Sequence, residues 1–97
     1  MTRLQDHIEI HKTEIYRLAK SRGARNIRIF GSVTRGEDDL ASDVDFLVDL
    51  EPDRGLLDLG GLLMDLRDLL QTPVDVVTPS LLKTRIRSRV LREAVPL

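Results

Sequence analysis

The chain has 97 residues, 41% hydrophobic and 32% charged, with a formal net charge of −1 at pH 7. These values are typical of an ordinary globular domain and give no support to binding of nucleic acid through bulk positive charge. The absence of cysteine excludes disulfides and thiolate metal sites. The N-terminal stretch is charged, and no apolar run approaches the roughly 20 residues of a membrane span. We therefore expect one cytoplasmic domain over residues 1–97.

The first half of the chain predicts a helix followed by a strand. Apolar residues recur at helical spacing from Leu4 to Ala19, and Gly23 then suits a helix C-cap. The alternating stretch from Asn26 to Phe30 is rich in β-branched and aromatic residues, which is typical of a strand. A short helical turn over about Val33 to Glu37 should follow.

The second half predicts two strands and two helices. Asp43–Leu50 has a period of two, and Val74–Val77 is a short apolar stretch of strand length. Between them, Gly55–Gln71 carries leucines over most of its surface, which indicates a well-buried helix. A last helix is expected from a cap at residues 78–80 to about Ala94. This order favours an α/β (α+β) fold, with helices packed on a small mixed sheet of three or more strands.

Three aspartates are the candidates for a metal site. Asp43 and Asp45 lie on one face of the predicted second strand, with their Cα atoms about 7 Å apart. Asp75, alone among valines, joins them if the third strand lies beside the second. Two such charges about 4 Å apart repel by about 4 kcal/mol at an effective dielectric near 20, and a cation relieves that repulsion. Mg²⁺ is favoured, because it takes oxygen ligands from carboxylates and substrate phosphates. Asp49 lies on the same face but about 13 Å beyond Asp45, too far to share the ion.

A glycine-serine pair at the strand-to-helix turn predicts a phosphate site. Gly31 lets the backbone approach a ligand closely, the Ser32 hydroxyl adds a donor, and a helix N-terminus favours anions. Arg35, about one turn beyond Ser32, is either a further phosphate contact or a solvated arginine. A triphosphate is therefore expected between Gly31-Ser32 and the metal ions.

Three other features of the sequence have simpler interpretations. His7 and His11 are four residues apart, but no third zinc ligand is evident, so we expect solvated histidines. Arg85, Arg89 and Arg92 share one face of the last helix, which indicates either a solvated face or a contact with phosphates or an acidic partner. One tyrosine and two phenylalanines are too few for a base-stacking platform, so direct binding of nucleic acid has little support.

The spacing of these residues resembles that of a known superfamily. Gly31-Ser32, ten intervening residues, Asp43-Val44-Asp45 and a later lone Asp75 look like the polymerase-beta-type nucleotidyltransferases. Within that superfamily, the chain is most similar to the minimal nucleotidyltransferases, which include the MntA-type antitoxins encoded beside HEPN-domain toxins. The resemblance covers nearly the whole chain. It implies a polymerase-beta-like fold in which Asp43 and Asp45 hold two Mg²⁺ ions, Asp75 completes the catalytic metal site and accepts a proton, and Gly31 and Ser32 bind the phosphates of ATP.

The resemblance also implies a function. AMP passes from ATP to a hydroxyl group, with a tyrosine as the expected acceptor, on a partner HEPN ribonuclease toxin. The chain then acts as a type VII-like antitoxin and forms a hetero-oligomer with that toxin. Two alternatives stay open: an antitoxin that neutralises its partner by binding alone, and a nucleotidyltransferase that modifies a small molecule.

Overall fold

The computed structural model describes residues 4–34 and 43–97, without the side chain of Ser32. The elements are, in chain order, helices α1 (Leu4–Ile10) and α2 (Lys12–Ser21), strand β1 (Ala24–Phe30), a 3-10 turn (Gly31–Val33), strand β2 (Val44–Leu50), helix α3 (Leu56–Leu70), strand β3 (Val74–Val77), a second 3-10 turn (Pro79–Leu81), helix α4 (Thr84–Glu93) and strand β4 (Val95–Pro96). The part of the predicted turn from residue 35 to residue 37 lies outside the described residues.

One mixed sheet organises these elements, with its strands in the order β3-β2-β1-β4. Strand β1 is antiparallel to both β2 and β4, whereas β2 and β3 run parallel. A parallel pair needs a long crossover connection, and α3 forms that connection between β2 and β3. The predicted α/β (α+β) fold with a small mixed sheet is therefore confirmed. None of the helices in the described ranges is long and apolar enough to cross a membrane.

The main core lies on the face of the sheet that α1, α2 and α3 cover. Val44, Phe46 and Val48 of β2 are fully buried there. They belong to one cluster with apolar residues of all three helices, among them Leu4, Ile8, Ile15, Leu59, Leu62 and Leu66. This burial of large apolar side chains is the main stabilising contribution to the fold.

The opposite face of the sheet is covered by α4. Leu47 is fully buried in a smaller cluster with Leu82 and Val90, against which Phe30 and Ala94 also pack. Side chains alternate between the two faces of a strand, so Asp45 shares the face of Leu47 and lies on the α4 side. Strand β2 is thus apolar on both faces, except where its aspartates interrupt the α4 side.

The predicted first helix is divided in two at His11. The imidazole Nδ1–H of His11 donates to the carbonyl oxygen of His7 at 2.9 Å, and the His11 backbone N–H donates to Ile8 at 3.1 Å. The side chain bonds to the carbonyl that a regular helical backbone bond from His11 would use, and the two helices meet at this residue. His7 Nε2–H donates to the carbonyl oxygen of Leu70 at 2.8 Å. The expectation of solvated histidines is wrong, because both rings are half-buried and hydrogen-bonded.

Two further predictions about helices need correction. Helix α3 is buried on one side only, since Leu57 is 92% exposed and Met64 is 51% exposed. The last helix does not run unbroken from residue 78, because an extended segment at Leu82 and Lys83 separates the second 3-10 turn from α4. Strand β4 was not predicted, since two residues are too few to show an alternating pattern.

Candidate functional site

The register of the sheet places two of the three predicted aspartates side by side. Asp45 is the Cα partner of Asp75 across the parallel pair of β2 and β3. Adjacent strands lie about 4.8 Å apart, and paired residues point to the same face. Both carboxylates therefore project from the α4 face, where Asp45 is half-buried and Asp75 is exposed. The condition that the sequence set for Asp75, that its strand should lie beside the second, is met.

Asp43 lies one residue before the start of β2 and is exposed. Val44, between the two aspartates of the motif, is fully buried, and its backbone N–H donates to the carbonyl oxygen of Pro73 at 3.0 Å. This bond fixes the start of β2 against the start of β3. The buried valine thus anchors the Asp-Val-Asp motif, and its two aspartates flank that anchor.

The turn after β1 lies directly against Asp45. Gly31 has a left-handed backbone with φ of 84°, and a Cβ atom added to it would lie 2.5 Å from Oδ2 of Asp45. A residue other than glycine would be strained by its backbone and would also collide with the carboxylate. The turn predicted to hold phosphates and a carboxylate predicted to hold metal are therefore brought together.

The same turn contains a residue that the sequence pattern did not single out. Thr34 Oγ1 donates to the carbonyl oxygen of Gly31 at 2.8 Å and closes the turn. A hydroxyl residue three positions after a glycine was the available signal, since such residues often bond to nearby backbone in turns. The backbone of Ser32 lies within the 3-10 turn. Arg35 lies outside the described residues, so its contact with phosphate stays a prediction.

Asp49 has a structural role on the same strand. Its Oδ1 accepts a hydrogen bond from Nη2 of Arg28 at 2.9 Å, and its Oδ2 accepts one from Nδ2 of Asn26, also at 2.9 Å. Both oxygens are engaged with β1, so this carboxylate ties the two strands together. These contacts fit the prediction that Asp49 lies too far along the strand from Asp45 to share the metal ion.

The donor set fits Mg²⁺ in its chemistry. Carboxylate oxygens are hard ligands, and Gly31 leaves space beside Oδ2 of Asp45 that a Cβ atom would fill. Across residues 4–34 and 43–97, no three Asp, Glu, His or Cys side chains are grouped closely enough to hold an ion by themselves. Mg²⁺ does not require such a cage, because it keeps several waters and takes ligands from substrate phosphates. Joint binding of the ions by Asp43, Asp45 and Asp75 stays a prediction.

Comparison with known proteins gives concordant matches. A family model described as a nucleotidyltransferase domain matches residues 8–97. The protein adenylyltransferase MntA of Thermococcus cleftensis is 42% identical over 92 residues, which cover 95% of this chain and 90% of that protein. A solved structure assigned as a minimal nucleotidyltransferase is 41% identical with a TM-score of 0.86, covering 99% of this chain and 97% of that one.

A more distant match extends the likeness in fold. A toxin-antitoxin structure solved with AMP-PNP has a TM-score of 0.73 at 22% identity, over 88% of this chain and 70% of that one. At this identity the likeness concerns the fold alone. Together the matches confirm the resemblance to minimal nucleotidyltransferases that the glycine-serine pair and the aspartates indicated.

Proposed function

The chain belongs to the nucleotidyltransferase domain family, and we propose on this basis that it transfers AMP from ATP to a hydroxyl group of a partner protein. The observation that carries the proposal is the contact between the Gly31 turn and Asp45, with Asp75 beside Asp45 in the sheet. A phosphate-binding turn and a pair of carboxylates are the two parts that nucleotidyl transfer requires. A relative that is 42% identical bears the name of a protein adenylyltransferase, which supports protein as the acceptor.

The Gly31 turn binds the triphosphate. Backbone N–H groups at the start of a helical turn attract phosphate, and the absence of a Cβ atom at Gly31 allows phosphate oxygens to reach them. Asp43, Asp45 and Asp75 are the residues that would hold two Mg²⁺ ions. When bound, the ions would neutralise the phosphates and stabilise the entering and leaving oxygens.

The acceptor hydroxyl reacts on the exposed side of the carboxylates. Its oxygen forms a bond to the α-phosphorus, the bond from that phosphorus to the bridging oxygen of the β-phosphate breaks, and pyrophosphate leaves. The carboxylate of Asp75 accepts the hydroxyl proton as general base. Because Asp75 is exposed, a hydroxyl group on another protein can approach it.

The proposed partner is a HEPN ribonuclease toxin with a tyrosine as acceptor, which makes the chain an antitoxin that forms a hetero-oligomer with its target. This proposal extends the resemblance to the MntA-type antitoxins, and this chain shares its fold with a solved toxin-antitoxin structure. The open site supports a protein acceptor. Asp43 and Asp75 are both exposed, so a folded partner can itself form the facing wall of the site.

To test this proposal, the chain is incubated with Mg²⁺, α-labelled ATP and the protein encoded by the adjacent reading frame, and labelling of that protein is measured. In the Asp43→Asn/Asp45→Asn variant we expect labelling of the partner to fall at least about a hundredfold, because stabilisation of several kcal/mol by the metal ions is lost. The matched control is Asp49→Asn/Asp53→Asn, which removes the same charge from positions outside the site and should label normally. Equal labelling by the folded Asp43→Asn/Asp45→Asn variant would contradict the assigned roles.

The same experiment separates catalysis from neutralisation by binding. If the Asp43→Asn/Asp45→Asn variant adds no label but still abolishes the partner's ribonuclease activity at equal concentration, neutralisation requires binding alone. If wild type labels a small molecule and never the partner, the acceptor is not a protein.

A further inference from the structure

The outward side of α4 carries three arginines that bind no other side chain in the described part of the chain. Arg85, Arg89 and Arg92 are exposed, and within the described residues none of them forms an ion pair or a side-chain hydrogen bond. We name these three residues the arginine face. Arg87, on the same helix, is different, because its guanidinium donates to the carbonyl oxygens of Pro79 at 2.8 Å and Leu82 at 3.0 Å. Arg87 therefore fixes the start of α4, whereas the arginine face makes no comparable contact with residues 4–34 or 43–97.

Positive charge is concentrated in this segment. Residues 83–93 contain five basic side chains and one acidic one, so their formal net charge is +4 in a chain whose total is −1. The rest of the chain therefore carries −5. Such segregation attracts negatively charged surfaces to one side of the molecule.

The C-terminal end of α4, which carries Arg92, lies near the end of the sheet that contains Asp45. Phe30, the Cα partner of Asp45, packs against the same apolar cluster as Ala94, a cluster that includes Val90 of α4. After α4, Val95 pairs with Ile29, the residue before Phe30. The last turns of α4 therefore end close to the strand positions next to Asp45. A ligand on the arginine face would adjoin the site of transfer.

Apolar residues beside the arginines favour a protein ligand. Leu91, next to Arg92 on α4, is 42% exposed, and Val95, the first residue of β4, is 51% exposed. Arginine next to exposed apolar side chains is typical of protein interfaces, where arginine often contributes strongly to affinity. An extended nucleic acid would instead meet the negative charge of the rest of the chain.

We infer that the arginine face, with Leu91 and Val95, docks an acidic surface of the acceptor protein and thereby presents the acceptor hydroxyl to the carboxylates. This inference rests on the proposed function, to which it adds the chemistry of the partner's surface. The arginines position the substrate and do not take part in the transfer of AMP.

The test compares two variants with equal loss of charge. Arg85→Gln/Arg89→Gln/Arg92→Gln removes the arginine face, whereas Lys20→Gln/Arg25→Gln/Arg67→Gln removes three exposed positive charges outside α4. With the protein of the adjacent reading frame as acceptor, we expect the first variant to raise the KM for that protein at least tenfold. Its kcat and its KM for ATP should stay within twofold of wild type, and the control variant should behave as wild type.

Three results would overturn the inference. The first is an equal change in KM for the acceptor in both variants. The second is a loss of ATP affinity confined to the arginine-face variant, which would assign the arginines to the triphosphate. The third is an unchanged KM for the acceptor together with lost binding of a labelled single-stranded RNA, which would assign them to nucleic acid.

A binding measurement separates this inference from the proposed function. The dissociation constant of the complex is measured calorimetrically in the Asp43→Asn/Asp45→Asn background, with and without the arginine face. At least tenfold weaker binding without the arginine face, and a smaller dependence on salt, would support docking even if wild type transferred no label. Equal affinity would refute docking whether or not transfer occurs.

Discussion

Gly31 is required both by the backbone conformation of its turn and by the space that the Asp45 carboxylate occupies. Its φ of 84° is a conformation that residues with a side chain rarely adopt, and its missing Cβ atom leaves space next to Oδ2 of Asp45. A left-handed backbone costs a non-glycine residue about 1–2 kcal/mol. A substitution at this position therefore affects both the stability of the turn and the position of the carboxylate.

Replacement of Gly31 by alanine should impair transfer more than stability. We expect Gly31→Ala to lower the free energy of unfolding by about 1–2 kcal/mol and to displace the Asp45 carboxylate, so that transfer per folded molecule falls at least about tenfold. Urea unfolding gives the stability, and labelling with α-labelled ATP gives the activity.

Gly23 provides the matched control for this prediction. It also has a left-handed backbone, with φ of 73°, and a Cβ atom there would collide with the side chain of Arg54. Gly23→Ala should destabilise the protein to a similar extent but leave transfer per folded molecule unchanged. If both variants lost activity equally, backbone strain alone would explain the effect of Gly31→Ala.

The sequence predicted the types of residue at this site better than their contacts. The spacing of Gly31, Asp43 and Asp45 was visible in the chain, and Asp75 was visible as the single carboxylate among the valines of a predicted strand. The contact between Gly31 and Asp45 was not visible, because it depends on the pairing of β1 with β2 and on a backbone angle. The bond from Thr34 depends on the same turn.

At the scale of elements, α3 contains adjacent glycines in different environments. Gly60 has no atom within 4 Å of an added Cβ, whereas at Gly61 such an atom would lie 2.5 Å from Nη1 of Arg22. Arg22 crosses the helix at that point to reach Asp65, with Nε 2.9 Å from its Oδ2. Gly61 therefore makes room for an ion pair between α2 and α3, while Gly60 has no such role within the described fold.

Alanine substitutions should distinguish the two glycines. Glycine in a helix is less favourable than alanine by about 0.8–1.0 kcal/mol, so Gly60→Ala should stabilise the protein by about that amount. This corresponds to an increase in Tm of about 4–8 °C for a domain of this size. Gly61→Ala should give a smaller gain or a loss, because the new methyl group displaces Arg22 from Asp65. Thermal unfolding monitored by circular dichroism measures both.

The Arg22→Ala background provides a control for the second substitution. Without the guanidinium, Gly61→Ala should regain the stabilisation seen with Gly60→Ala. If Gly61→Ala behaved alike in both backgrounds, the collision with Arg22 would not be the cause.

Strand boundaries followed from the sequence more closely than helix boundaries. β3 was predicted at Val74–Val77, and β2 begins one residue after its predicted start. A period of two defines a strand over few residues, but the break at His11 coincides with a side-chain bond that periodicity does not record. The exposed Leu57 shows that a high leucine content does not predict which sides of a helix are buried.

At the scale of the whole molecule, folding brings together charges that are distant in sequence. The parallel pairing of β2 and β3 sets Asp45 beside Asp75, thirty residues later in the chain. The packing of α4 on the same face then brings a positively charged segment next to this end of the sheet. A cation bound by the aspartates would therefore stabilise the folded chain, because the unfolded chain does not hold these carboxylates together.

Thermal unfolding with and without Mg²⁺ and ATP tests this link between folding and the site. A ligand that binds only the native state stabilises it by about 2.7 kcal/mol when present at about 100 times its dissociation constant. For a domain of this size, such stabilisation raises Tm by on the order of 10 °C. We expect Mg²⁺ with ATP to produce a shift of this order, and Mg²⁺ alone a smaller one.

Asp75→Asn should retain the wild-type Tm or exceed it without Mg²⁺ but lose most of the shift, because one of the paired carboxylates is neutral. Asp49→Asn should start from a lower Tm, since it weakens the contacts with Arg28 and Asn26, but keep the full shift. An equal shift in Asp75→Asn and wild type would place the bound cation away from the paired strands, and no shift in any of these proteins would contradict the metal site itself.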